Sequence, residues 1–193
     1  MPPTGLVDEI LRKTVHLTSV IIVLIYAYTS KQVVLTFLIT YFVIILVIEH
    51  FRLEHDMKIP LLNFLFREKE KSHLAGHVFF TIGVIISISV FSEMIACAAI
   101  LMTTFGDMSA ALIGKAFGST RIYNGKSLEG CAAEFIVDLF IGYVFLGNWF
   151  IALIMALTAT VVETAVVKID DNLAIPVFSG FIGQGALILM SLV

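Results

Sequence analysis

QVVLTFLITYFVIILVIE, residues 32–49, contains no charge before Glu49 and no glycine or proline. A helix that crosses a bilayer needs about 20 mostly apolar residues, and this run is apolar on every face. Six more stretches of the same kind follow or precede it, at roughly 16–30, 74–92, 94–114, 131–147, 149–167 and 173–192. Together they take up most of the 193 residues, of which 59% are hydrophobic and 14% charged. A soluble domain carries about 25% charged residues, and the mean hydropathy here is +1.02. The expected fold is an all-α integral membrane protein with about seven transmembrane helices, a single membrane-embedded domain over 1–193. No basic-then-apolar leader with a small-residue cleavage site stands before the first stretch, so that segment is expected to be retained.

With seven spans, the N-terminus and the loops after spans two, four and six share one face. Arg12, Lys13, Arg52, Lys58, Arg67, Lys69, Lys71, Lys115, Arg121, Lys126 and Lys168 all fall there, leaving only Lys31 for the other side. Lys and Arg concentrate in cytoplasmic loops, which predicts a cytoplasmic N-terminus and an outside C-terminus. The same topology separates Cys97, near an outer end, from Cys131, at an inner end, by more than the ~7 Å a disulfide tolerates; both should be free. Residues 51–72 are the one long excursion. Their apolar run IPLLNFLF, at 59–66, sits between charged flanks and reads as an interfacial segment. Outer loops are minimal, marked by Lys31, Glu93 and Gly147-Asn148, so a soluble ligand is expected to arrive from the cytoplasm.

The stretch that carries chemistry is FGDMSAALIGKAFGSTRIYNGKSLEGCAAE, residues 105–134, with five of the chain's 13 glycines. Glycines let backbone N–H groups approach a phosphate, and Lys or Arg supplies the countercharge. Ala110, Gly114 and Gly118 also have the four-residue spacing of a small-residue helix contact, which would equally serve an oligomer. That packing role does not account for the acids. Counting about 1.5 Å per residue from Glu93 puts Asp107 roughly 21 Å into a ~30 Å core. Glu163 lies five residues, roughly 8 Å, before Lys168. Glu134 and Asp138 are one helical turn apart in the next span. Three spans thus bring carboxylates to one level, and each buried charge costs at least about 2.5 kcal/mol on insertion scales, so such acids are functional candidates. Carboxylates beside a phosphate usually meet it through Mg²⁺. Gly125-Lys126-Ser127 matches the end of a phosphate-binding P-loop, but Thr120 stands where that motif needs glycine. His73 and His77 are spaced like metal ligands without a third nearby, which favours a packing role. Asp171-Asn172 is a natural N-cap for the last helix.

In order and at these spacings, RKTVH (12–16), EHFR (49–52), REKE followed by LAGH (67–77), GDMSAALIGKAFG (106–118), GKSLEG (125–130), Glu163 and DNLAIP (171–176) span nearly the whole chain. In these elements the chain resembles the CTP-dependent lipid-alcohol kinases, the family of dolichol kinase, phytol kinase and CTP-using diacylglycerol kinase. The glycine-Asp element followed by KSLEG is also similar to the membrane CDP-lipid synthases. The resemblance implies transfer of the γ-phosphate of CTP to the hydroxyl of a membrane lipid alcohol such as a polyprenol, dolichol, phytol, geranylgeraniol or diacylglycerol. It implies Mg²⁺ as cofactor, held by Asp107, Asp171 and Glu163, and a catalytic group of Asp107, Lys126, Glu129 and Glu134. CTP is expected on Arg12, Lys13, His16, Gly114, Lys115, Gly118, Lys126, Ser127, Gly130 and Asn172. The metal and base roles among the acids are interchangeable at this level.

Two other readings use the same residues. A CDP-lipid synthase would attack the α-phosphate and release pyrophosphate, and its lipid-phosphate acceptor would call for cationic residues beyond those the motifs absorb. A non-enzymatic seven-span transporter would show a polar track toward the outer face, where Glu93 stands alone. Partners are thus CTP, a lipid alcohol and the bilayer, with no nucleic acid. The active site would face the cytoplasm, in the cell membrane of a prokaryote or the endoplasmic reticulum of a eukaryote.

Overall fold

A computed structural model describes residues 17–54, 73–166 and 168–192. Among these, seven helices follow one another: α1 (Thr18–Tyr28), α2 (Lys31–Glu54), α3 (Gly76–Val90), α4 (Glu93–Ala116), α5 (Leu128–Leu146), α6 (Trp149–Ala165) and α7 (Asp171–Ser191). Each coincides with one of the seven apolar stretches, and no named strand occurs among the described residues. The chain is a membrane protein, and α2, α4 and α7 are the helices long and apolar enough to cross a bilayer by length and composition. The expectation of about seven spans is met in the number of helices and, by length and composition, for three of them. Helix α3 has 15 residues and α6 has 17, roughly 22 and 26 Å at 1.5 Å per residue, below a ~30 Å core. Residues 51–54, read from sequence as the start of the interfacial segment, continue α2; 55–72 lie outside the described residues.

The order of burial follows from which helices are apolar all round. In α4, Ile95, Ala96, Cys97, Ala98, Ala99, Ile100, Leu101 and Met102 are all buried in succession, which only a central helix can achieve. Val34 and Leu38 of α2, Val84 and Ile88 of α3, Ile141 of α5 and Met155 of α6 join it in one cluster. Helix α2 is the reverse case: Val33, Phe37, Tyr41, Ile44, Ile48 and Phe51 are exposed, an apolar surface suited to lipid. Where lipid solvates apolar side chains as well as protein does, close packing of small residues holds helices together. At Gly142 a Cβ would stand 2.9 Å from the Cα of Ala152, so α5 and α6 touch almost backbone to backbone.

Local chemistry sets the ends. Gly147, at φ +60°, closes α5, and Asn148 caps α6 by accepting from the N–H groups of Phe150 and Ile151 at 3.0 and 3.1 Å. The cap of α7 is Asp170, one residue before the expected Asp171-Asn172, because its Oδ1 accepts from Asn172 N at 3.2 Å. Pro176 inside α7 cannot donate to the carbonyl of Asn172 four residues back. Glu49 and Arg52 tie the end of α2 to the segment leading into α3. Arg52 donates to both Glu49 oxygens at 2.9 and 2.6 Å and to His73 O at 2.8 Å, while Ala75 N donates to Glu49 at 3.2 Å.

Candidate active site

Asp107 follows a feature that the hydropathy pattern does not show. Met102–Gly106 is π-helical, a single widened stretch within α4, and such bulges recur at functional sites. The hydroxyls of Thr103 and Thr104 donate to Ala99 O and Ile100 O at 2.9 and 3.1 Å, in the turn where the ladder widens. Ser19 of α1 shares a 2.7 Å hydrogen bond with Thr104. Gly106 ends the bulge, and a Cβ there would overlap the Asp138 carboxylate. The bulge is therefore braced from α1 and α5, and Asp107, buried at 8% exposure, begins the α-helical turn after it.

Between α4 and α5, the loop 117–127 turns back on itself. Asn124 and Gly125 take the left-handed conformation, at φ 54° and 75°, and Arg121 pairs with Ser127 in a short antiparallel bridge. The Arg121 guanidinium donates to Gly125 O at 2.9 Å. Ser127 then caps α5, its hydroxyl accepting from Gly130 N at 3.1 Å. The glycines of this region serve close packing: a Cβ on Gly130 would lie 2.8 Å from Ala110 O and 3.3 Å from the Cα of Gly114, and one on Gly118 would overlap Gly114 O and Ser127. Glu129 is taken up by the same loop. Its carboxylate accepts from the Ser119 hydroxyl at 2.5 Å and from Ser119 N and Thr120 N at 3.1 Å each. Those bonds, the Ser119 hydroxyl foremost, lower its pKa to about 2.

These elements enclose a cavity of about 260 Å³. Asp107 of α4, Glu163 of α6 and Asp171 of α7 are its acids; Lys115, Arg121 and Lys126 are its cations. Gly114, Ser127 and Gly130 line it as well, so eight of the residues expected from sequence meet in one place. Arg121 and Cys131 also line it, and sequence reasoning did not assign them to the site. Arg121 lies inside the informative stretch, but its charge could be explained by topology alone. Gly118, Glu129, Glu134 and Asn172 do not line the cavity. Asn172 is buried and holds the start of α7, its amide donating to Asp170 at 2.8 Å. Arg12, Lys13 and His16 fall outside the described residues.

Behind the cavity lies a denser group of acids. Glu134, Asp138 and Glu163 are 1%, 0% and 5% exposed. Glu134 stands within electrostatic reach of Glu163, Asp138 and Lys126. Glu163 Oε1 is 2.5 Å from Lys126 Nζ, whereas Glu163 Oε2 and all four oxygens of Glu134 and Asp138 are buried without a hydrogen-bond partner. Buried polar atoms are rarely left unpaired, and each one calls for a ligand, ion or catalytic role. Even so, among the described residues no three His, Cys, Asp or Glu side chains are grouped so as to hold a metal by themselves. Cys97 and Cys131 are both free and buried.

The chain is 35% identical over 183 residues to an uncharacterised protein of Methanocaldococcus jannaschii, covering 90% of this chain and 92% of that one. It is 32% identical over 134 residues to the CTP-dependent diacylglycerol kinase 1 of Schizosaccharomyces pombe, covering 60% of this chain and 62% of the kinase. With the CTP-dependent diacylglycerol kinase 1 of Saccharomyces cerevisiae it shares 30% identity over 152 residues, 72% of this chain and 51% of the kinase. The alignments thus span less than two thirds of either yeast kinase. No family model matches the chain, and no solved structure does. Taken with the ordered motifs and the cavity they build, these similarities mark the chain as a relative of the CTP-dependent diacylglycerol kinases.

Proposed function

We propose that the protein transfers the γ-phosphate of CTP to the hydroxyl of a membrane lipid alcohol, giving a lipid monophosphate and CDP. The observation that carries this reading is the meeting of three acids and three cations in one cavity at the end of an apolar helix bundle. At about 260 Å³ the cavity is a little smaller than the roughly 300–1,000 Å³ of sites that enclose a whole ligand. We therefore assign it to the triphosphate, with the loops 115–130 and 168–172 as walls for the base; Arg12, Lys13 and His16, expected at the nucleotide, lie outside the described residues. Lys115, Arg121 and Lys126 would take the phosphate charge.

Mg²⁺ suits this donor set. It accepts one or two protein carboxylates and completes its shell with waters and phosphate oxygens, so a ready-made three-acid cluster is not required. Two of the three cavity acids, Glu163 with Asp107 or Asp171, would hold it. When bound, the ion would supply positive charge against the charge that develops on the phosphates. In the transfer, the lipid oxygen forms a bond to the γ-phosphorus as the bond from that phosphorus to the β-phosphate oxygen breaks. Glu129 is committed to Ser119 and Thr120 and Glu134 stands outside the cavity lining, so we assign the hydroxyl proton to an acid of the cavity itself, Asp107. Alignment and charge neutralisation supply most of the rate in this chemistry.

We place the site on the cytoplasmic side of a seven-pass chain, with the C-terminus outside, in the cell membrane of a prokaryote or the endoplasmic reticulum of a eukaryote. The yeast relatives, both CTP-dependent diacylglycerol kinases, bring diacylglycerol forward as acceptor; polyprenols, dolichol, phytol and geranylgeraniol share its apolar tail and single hydroxyl. The test is CTP labelled at the γ position, given to purified protein with a panel of these alcohols. The expected result is label on lipid and CDP in solution. Label in pyrophosphate with cytidine on the lipid would mean attack at the α-phosphate, the chemistry of a CDP-lipid synthase.

A further inference from the structure

Lys126 and Glu163 both line the cavity and are bonded to each other at 2.5 Å. Their surroundings differ. The Glu163 side chain is 2% exposed and fixed within α6, whereas that of Lys126 is 31% exposed and hangs from the loop before α5. The carboxylate meets one cation, the ammonium at Oε1, and its other charged neighbours are the buried acids Glu134 and Asp138. Under the reading above, the two ligands of the site make opposite demands on this pair. A triphosphate requires the ammonium of Lys126, and a divalent cation requires the carboxylate of Glu163 and is repelled by the ammonium next to it. In the state described, each group occupies the other.

Resting on that reading, we infer that the Lys126–Glu163 ion pair is an exchange latch, which disfavours nucleotide alone and cation alone and opens when the two arrive together. The triphosphate draws Lys126 away, and the freed carboxylate of Glu163 receives the cation with both oxygens available. The loop follows the lysine, since Arg121–Ser127 pairing fixes one side of it and Asn124 Nδ2 reaches Thr164 O at 3.4 Å, one residue from Glu163. Ligand exchange at the ion pair is thereby coupled to the position of the loop over the cavity. Glu134, also within electrostatic reach of Lys126, would share the lysine's charge in the closed form and lose it in the open one.

The full chain, purified in detergent, tests this with each ligand separately. Mn²⁺ binding without nucleotide is read by electron paramagnetic resonance, and CTP binding is read in EDTA. Lys126→Met is expected to bind Mn²⁺ alone more tightly, and Glu163→Gln to bind metal-free CTP more tightly, each by about five- to 150-fold, the usual range of coupling between sites. An ion pair that merely holds the fold gives unchanged or weaker binding in both, and either result overturns the latch. Wild-type protein supplies a check that needs no variant. Mn²⁺ alone should raise amine-reagent labelling of Lys126, seen by mass spectrometry, and unaltered labelling at saturating Mn²⁺ also overturns the proposal. The labelled-CTP assay runs alongside: transfer to lipid with no sign of exchange sinks the latch only, whereas no transfer to any lipid alcohol sinks the kinase reading itself.

Discussion

The Asp138 carboxylate lies so close to Gly106 that no side chain fits between them. Asp138 thereby props the last residue of the π-helical stretch from the neighbouring helix, one position before Asp107. Gly106→Ala should displace one of the two, costing about 1–3 kcal/mol as overpacking does, and should lower turnover as well. Gly106→Ala combined with Asp138→Ser should recover part of the stability, so that the two changes are non-additive. Thermal unfolding of the four proteins in detergent measures this; strictly additive losses would mean that the contact is not the cause.

Asp107→Asn keeps the size of the side chain and removes the charge assigned to the hydroxyl proton. Folding should persist, and kcat should fall by about a hundredfold or more, the scale seen when one group that stabilises the transition state is removed. Activity within a few fold of wild type would return Asp107 to a packing role.

Glu129 should behave as a structural anion across the working pH range. Its pKa is lowered to about 2 from an ordinary 4.5, chiefly by the Ser119 hydroxyl. The stabilisation it contributes is therefore complete above about 4.5 and is lost only as pH falls toward 2. Glu129→Gln should raise KM for CTP by loosening the loop at Ser119 and Thr120, by a factor that does not change between pH 5 and 9. A factor that moved with pH in that window would indicate that Glu129 titrates during the reaction.

Ser127→Ala should cost about 1 kcal/mol through loss of the α5 cap. Ser127→Val should cost more, because Ser127 is buried against Gly114, Gly118 and Gly130 and the larger side chain loses the cap while adding bulk there. Unfolding midpoints of the two variants give the comparison. An equal cost would place the effect in the cap alone.

Topology and the site can be read from one thiol. Cys131 is buried but lines the cavity, so any maleimide that reaches it should do so only from the cytoplasmic side and be blocked by CTP with Mg²⁺, while Cys97, buried in the core of α4, stays unlabelled. A C-terminal protease tag should be cleaved only from outside. Cleavage from the cytoplasm would remove the seven-pass arrangement.

The helices were legible because one property, apolarity over about 20 residues, is what a bilayer selects. Residues 94–114 read correctly as a helix for that reason. The π-helical stretch within them did not, since one extra residue in a turn leaves hydropathy unchanged. Asp107, Glu134 and Glu163 could be picked out because a carboxylate in an apolar run is conspicuous. Which oxygen meets which partner could not be read in the same way. The engagement of Glu163 by Lys126 joins residues 37 positions apart, and that of Glu129 by Ser119 depends on a loop whose turn rests on Asn124 and Gly125. Lengths were the weaker part of the reading: α3 and α6 are bounded by their own end residues, which a sliding average blurs.

The two-residue turn at Gly147 and Asn148 has a consequence for biosynthesis. Helix α5 carries Glu134 and Asp138 in its middle and is a poor candidate for insertion alone, since an Asp near a helix centre costs about 2.5–3.5 kcal/mol on the translocon scale. Helix α6, with Glu163 close to its end, partitions far more readily. A connection of only two residues leaves no room for one helix to wait in water while the other enters. The pair should leave the translocon as a hairpin, with α6 carrying the acids of α5 into the bilayer and α4, made earlier, already there to receive them.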